Sequence, residues 1–148
     1  MKYLDKILLF FLVIIIFGSC STKTVKKVVS LDNITAGRPY SPAIEVGNTL
    51  YLSGQIAVDP ATGEMIESGI EDQTDQVLKN IKAIVEKAGY SMSDVVKCNV
   101  MLSDIEFYGQ MNSIYKTYFP EEPPARKAFA VKDLPMGALV EIDAIAIK

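Results

Sequence analysis

The sequence predicts an α+β fold in which one mixed sheet carries two helices packed on one face, with elements in the order ββαβαββ. Two stretches repeat apolar residues at helical spacing, shorter stretches around them alternate apolar and polar residues, and turn residues separate the two kinds. Helices this few and this unevenly placed do not build a doubly wound parallel sheet, which needs a crossover helix between successive strands.

Residues 43–46 and 49–53 read as two short strands, and Gly47-Asn48 between them suits the positive backbone angles of a tight hairpin. The run Asp59-Pro60-Ala61-Thr62-Gly63 places the segment after Gly54 in a surface loop. Over residues 71–88, Val77, Ile81, Ile84, Val85 and Ala88 fall at offsets 0, 4, 7, 8 and 11, one stripe of an α-helix. Glu71, Asp72 and Asp75 suit its positive end, and Gly89 is a natural C-cap.

Residues 95–102 alternate as a third strand. Ser103-Asp104-Ile105-Glu106 then has capping-box spacing for a second helix, whose stripe is Phe107, Met111, Ile114, Tyr115 and Tyr118. Pro120, Pro123 and Pro124 end it and force an extended loop. Residues 126–131 and 139–147 alternate as two last strands, parted by Leu134-Pro135-Met136-Gly137. The final strand turns Val140, Ile142, Ala144 and Ala146 to one side and Ile145 and Ile147 to the other. A sheet covered by helices on one face alone leaves the second apolar set bare, and oligomerisation would bury it.

The N-terminal 33 residues have a different character. Lys2 and Lys6 precede the uncharged apolar run 7–17, the pattern of a secretory signal and shorter than the ~20 residues a transmembrane helix needs. Gly18-Ser19-Cys20 closes the run and resembles the lipobox of bacterial lipoproteins, with Phe17 where Leu is commoner. That resemblance implies cleavage after residue 19, lipidation of Cys20 and anchoring in the cell envelope through the acyl chains. An ordinary secretory signal beside a coincidental cysteine is the alternative. Residues 20–33 then read as the lipidated cysteine and a flexible polar tether, and 34–148 as the domain.

Cleavage would remove Lys2, Asp5 and Lys6 and so move the formal net charge from −3 to −4. An acidic body whose one lysine group, Lys23, Lys26 and Lys27, sits in the tether is a poor partner for nucleic acid. Cys98 reads as a small buried hydrophobe on the face of Val96, Val100 and Leu102, with no second thiol left for a disulfide. The chain has no histidine, which excludes Ser-His and Cys-His nucleophile pairs and removes the commonest zinc ligand. No metal site is expected, and the chemistry falls to Arg, Glu, Tyr, Ser, Asn and backbone groups.

Three segments resemble the RidA/YjgF family of reactive intermediate deaminases, over nearly the whole of residues 34–148. Leu52-Ser53-Gly54-Gln55-Ile56 is similar to its early SGQ motif, residues 77–89 to its first helix, and Pro124-Ala125-Arg126 through Val140-Glu141-Ile142 to its C-terminal signature. The resemblance implies a chorismate-mutase-like (YjgF-like) fold assembled as a homotrimer, with ligand clefts between neighbouring subunits. It also implies that Arg126 binds a substrate carboxylate, while Tyr40, Ser53, Gly54, Asn112 and Glu141 line the cleft. Lys127 and Ala128 depart from the Ser and Cys that often follow the motif arginine, and Pro42 stands where many relatives carry Gln.

The chemistry of the Arg126 side chain supports that carboxylate-binding role beside the resemblance. A planar, permanently charged fork makes paired hydrogen bonds to a carboxylate that Lys does not reproduce, and Ala128 and Ala130 on its strand face leave room above it. The other reading of this arginine is a bridge between subunits or an ion pair with Glu141. Glu141 in turn is either a proton carrier in catalysis or the partner of Arg126 or Lys127.

The implied reaction is hydrolysis of enamines or imines of the 2-iminopropanoate or 2-iminobutanoate type to 2-keto acids and ammonia, without metal or organic cofactor. Against it stands the expected envelope location, because the best-known sources of such imines are cytoplasmic pyridoxal-phosphate enzymes. The alternative is a non-catalytic module with the same fold that binds small carboxylates or an envelope partner.

Overall fold

The computed structural model describes residues 25–31 and 39–148. The expected signal at 1–19 and the lipidated Cys20 lie outside the described residues. Among the described residues, six strands and two α-helices follow one another as β1 (Lys26–Val29), β2 (Ala43–Val46), β3 (Thr49–Gln55), α1 (Ile70–Lys87), β4 (Val95–Leu102), α2 (Tyr108–Tyr118), β5 (Ala125–Ala130) and β6 (Val140–Ile147). The strands make one sheet in the order β1-β2-β3-β6-β4-β5, with β4 and β5 parallel and every other neighbour antiparallel. The α+β class and the single mixed sheet are as predicted.

The sheet starts earlier than expected. Lys26–Val29 lies inside the stretch read as a tether, yet it pairs with β2 and buries Val29 against the core. The order is therefore βββαβαββ. Lys27 completes the pairing from outside by reaching Glu45 at 2.9 Å.

Helix α1 forms because its apolar stripe meets a ready surface. Val77, Leu78, Ile81, Ile84 and Val85 are all buried, against β3, β6 and α2, and each buried side chain contributes about 1.5–3 kcal/mol. The helix ends as the sequence predicts. Gly89 at φ 82° donates to the Glu86 carbonyl, and Tyr90 reaches back to that of Val85, a pairing only a left-handed residue allows at low cost.

Two local expectations are corrected. The capping box at Ser103 does not lead the second helix: Asp104 accepts from the Glu106 backbone and caps a short 3-10 turn, Ile105–Phe107, from which α2 continues. Val96 does not share a face with Cys98. The register of β4 on β6 shifts between Val95 and Lys97, so Val95, Cys98, Val100 and Leu102 point into the core while Val96 is 42% exposed.

The helices cover one face of the sheet, where Leu50, Leu52, Cys98, Val100, Ile142, Ala144 and Ala146 are buried. Alternation carries Val28, Tyr51, Phe129 and Ile147 to the opposite face, where each is exposed in the single chain.

Candidate functional site

Arg126 takes its direction from β4. In the parallel β4–β5 pairing its Cα lies opposite that of Cys98, which points into the core, and the arginine accordingly projects toward α2. There Tyr108, Asn112 and Tyr115 stand at offsets 0, 4 and 7, one face of the helix. The guanidinium carbon is 4.5 Å from the centre of the Tyr115 ring and 5.6 Å from that of Tyr108. Nη2 donates to the Tyr108 hydroxyl at 3.2 Å. Two aromatic faces and a phenol hold the charge in place without neutralising it, and among the described residues no carboxylate pairs with it.

Electrostatics at this end follow from that geometry. Hydrogen bonds from Asn112 and then Arg126 hold the Tyr108 phenol below the usual tyrosine range, while burial pushes that of Tyr115 up. Burial likewise pushes the Cys98 thiol up to about 11, which leaves it protonated and unreactive at neutral pH.

Glu141 occupies the other face. It follows the buried Val140 and precedes the buried Ile142 on β6, so it points away from the helices and from Arg126. The alternative ion pairs with Arg126 and Lys127 are not formed. The carboxyl instead lies over Gly54, where β3 slips out of register between Leu52 and Gln55. A Cβ on Gly54 would come within 2.8 Å of the Glu141 Cδ and collide with its Oε1. A side chain at this position would push the Glu141 carboxyl aside, and glycine leaves it room. Burial, and after it the neighbouring Asp143, raise the Glu141 pKa above the usual carboxylate range. Asp143 itself is held by Asn99 Nδ2 at 2.8 Å.

The remaining predicted residues gather near Gly54. Ser53 is tied down twice, its hydroxyl donating to the Ser41 carbonyl at 2.7 Å and its backbone N–H to that of Pro42 at 2.9 Å. Tyr40, half exposed, and Gly54 share a cleft of about 320 Å³ with Pro42, Gln55, Asn80 and Met136.

One chain therefore carries two groups of predicted residues and does not bring them together. Tyr40, Ser53, Gly54 and Glu141 surround the irregularity in β3, while Asn112 and Arg126 stand with Tyr108 and Tyr115 beside α2. Strands β3 and β5 are separated by β6 and β4, roughly 14 Å at ~4.8 Å per spacing. Tyr108 and Tyr115 were missed as site residues. Their shared helical face with Asn112 is the available signal, and Tyr115 belongs to the apolar stripe and to the buried core as well.

The comparisons bear on this arrangement. A family model described as endoribonuclease L-PSP matches residues 30–148. A RutC family protein of Pyrococcus horikoshii is 54% identical over 125 residues, 84% of this chain and 99% of its own length. A mouse protein named 2-iminobutanoate/2-iminopropanoate deaminase is 42% identical over 125 residues, 84% of this chain and 93% of its own. Among solved structures, the Rid-family protein YyfA of Yersinia pestis superposes with a TM-score of 0.80 at 43% identity, covering 84% of this chain and 100% of that one. With a family match over residues 30–148 and relatives matched over nearly their full length, the chain belongs to the RidA/YjgF family.

Proposed function

We propose that the protein hydrolyses small 2-imino acids, of the 2-iminopropanoate or 2-iminobutanoate type, to 2-keto acids and ammonia, in a cleft completed between neighbouring copies of the chain. The observation that carries this reading is Arg126: a guanidinium braced by Tyr115 and Tyr108, with no acid of its own among the described residues. Such a group is prepared for a carboxylate brought by a ligand. The naming of the mouse relative as an imine deaminase supports the same substrate class.

The reaction needs little beyond orientation and proton handling. Arg126 fixes the carboxylate, which sets the imine carbon in place for a water molecule. Water adds to the protonated imine to give a tetrahedral amino alcohol, whose collapse makes the keto C=O bond, breaks the C–N bond and releases ammonium after proton transfer to nitrogen. A carboxyl with a raised pKa holds its proton closer to neutral pH, and Glu141 suits the role of passing one to the departing amine.

Assembly follows from the separation of the two groups. On one chain Arg126 and Glu141 lie on opposite faces of the sheet, and a second copy can supply the missing half. The exposed Val28, Tyr51, Phe129 and Ile147 give copies of the chain an apolar face to share, and a homotrimer is the assembly that the family resemblance implies. Envelope anchoring through Cys20 belongs to the same proposal and rests on the lipobox-like sequence alone.

Turnover distinguishes this reading from a carboxylate-binding module without catalysis. An amino-acid oxidase supplies the imine in situ, and faster keto-acid release in the presence of the protein supports hydrolysis. Calorimetric binding of 2-oxobutanoate with no rate effect would instead support the binding module.

A further inference from the structure

Tyr108 stands beside Arg126 yet lies outside the motif that identifies the arginine. Its oxygen accepts a hydrogen bond from Arg126 Nη2 at 3.2 Å. Asn112, one helical turn on, and Arg126 both hold the phenol's pKa below its ordinary value. With its oxygen accepting from Arg126, the phenol's own proton is the group left to donate. The residue is 41% exposed, so that proton is available to solvent beside the guanidinium. Tyr115, 5% exposed, packs its ring against the guanidinium at 4.5 Å and denies a ligand that side.

A carboxylate that enters here has more acceptor capacity than one arginine uses. Its two oxygens offer about four lone-pair sites, and a bidentate guanidinium fills two of them. Resting on the carboxylate-binding reading above, we infer that Tyr108 is a further substrate-binding residue, whose hydroxyl donates to the carboxylate held by Arg126. The Arg126–Tyr108 hydrogen bond aligns that donor before the ligand arrives, so little ordering remains on binding. The same arrangement sets specificity. A free carboxylate accepts from every donor in the row, whereas the NH2 of a carboxamide meets them donor to donor, so amides and peptide-linked analogues are rejected.

The test is calorimetric titration of the full chain and of Tyr108→Phe with 2-oxobutanoate and, separately, with 2-oxobutanamide. The substitution keeps the ring against Arg126 and removes only the hydroxyl. Loss of one hydrogen bond to a charged group weakens 2-oxobutanoate binding roughly tenfold or more, while the already weak amide binding changes little. In the imine assay the same variant raises KM and leaves kcat nearly unchanged. Equal 2-oxobutanoate affinity for the two proteins would overturn the role of Tyr108 and leave the carboxylate site standing. Absence of 2-oxobutanoate binding to the unsubstituted chain would overturn both.

Discussion

Gly54 and Glu141 meet across β3 and β6 so closely that a methyl group on the glycine would occupy the position of the carboxylate oxygen. The slip of β3 between Leu52 and Gln55 brings the backbone to that point. A family motif glycine and a family motif glutamate, 87 positions apart in the sequence, are thus one structural feature.

Gly54→Ala tests that contact. The new Cβ must displace the Glu141 side chain or shift β3, and overpacking of this kind costs about 1–3 kcal/mol. We expect a lower melting temperature together with a fall in imine turnover, read by thermal denaturation and by the oxidase-coupled assay.

Glu141→Gln should separate stability from activity. Burial and Asp143 raise the folded-state pKa of Glu141, so the folded chain holds this proton to higher pH than the unfolded chain does. Stability therefore declines as pH rises from the ordinary glutamate range through the raised value, and above that value the loss is complete. The amide has no such loss. Melting curves should place the variant above the parent at neutral pH, with the difference shrinking toward about pH 4, while turnover falls.

Cys98 should be silent in the native protein. It is fully buried and its thiol is pushed up to about 11, so a disulfide reagent such as DTNB should label it only as the chain unfolds. Cys98→Ala should cost ~1–2 kcal/mol for the small cavity left behind and preserve imine hydrolysis.

Ile145 lies on the face of β6 away from the helices, with Tyr51 and Lys97 as its neighbours in register. Ile145→Asp should split the proposed assembly, giving a smaller mass by light scattering and a loss of turnover with an unchanged far-ultraviolet spectrum.

Periodicity made the helices legible. The α1 stripe and the glycine that ends it need only local spacing, as do the Gly47-Asn48 turn and the burial of Cys98. The β1 strand was not legible, because Lys-Lys-Val-Val in a polar stretch becomes a strand only through its pairing with β2. The outward turn of Val96 was hidden for a similar reason: alternation assumes an unbroken register, and β4 slips on β6. At the site, spacing placed Arg126 correctly beside Ala128. The relation of Arg126 to Glu141 depends on strand order and on which face each strand presents, and neither is written in local sequence. Tyr108 was missed because its partner is an arginine 18 positions later, on a strand that meets α2 only after the sheet has formed.

The most direct test of the account is the oxidase-coupled assay on Arg126→Lys and Arg126→Ala beside the parent chain. Loss of the bidentate contact should lower kcat/KM about a hundredfold or more, ~3 kcal/mol, with Lys recovering little of what Ala loses, because a point charge does not replace the fork. Keto-acid release by Arg126→Ala at the parent rate would contradict the claim that this guanidinium holds the substrate.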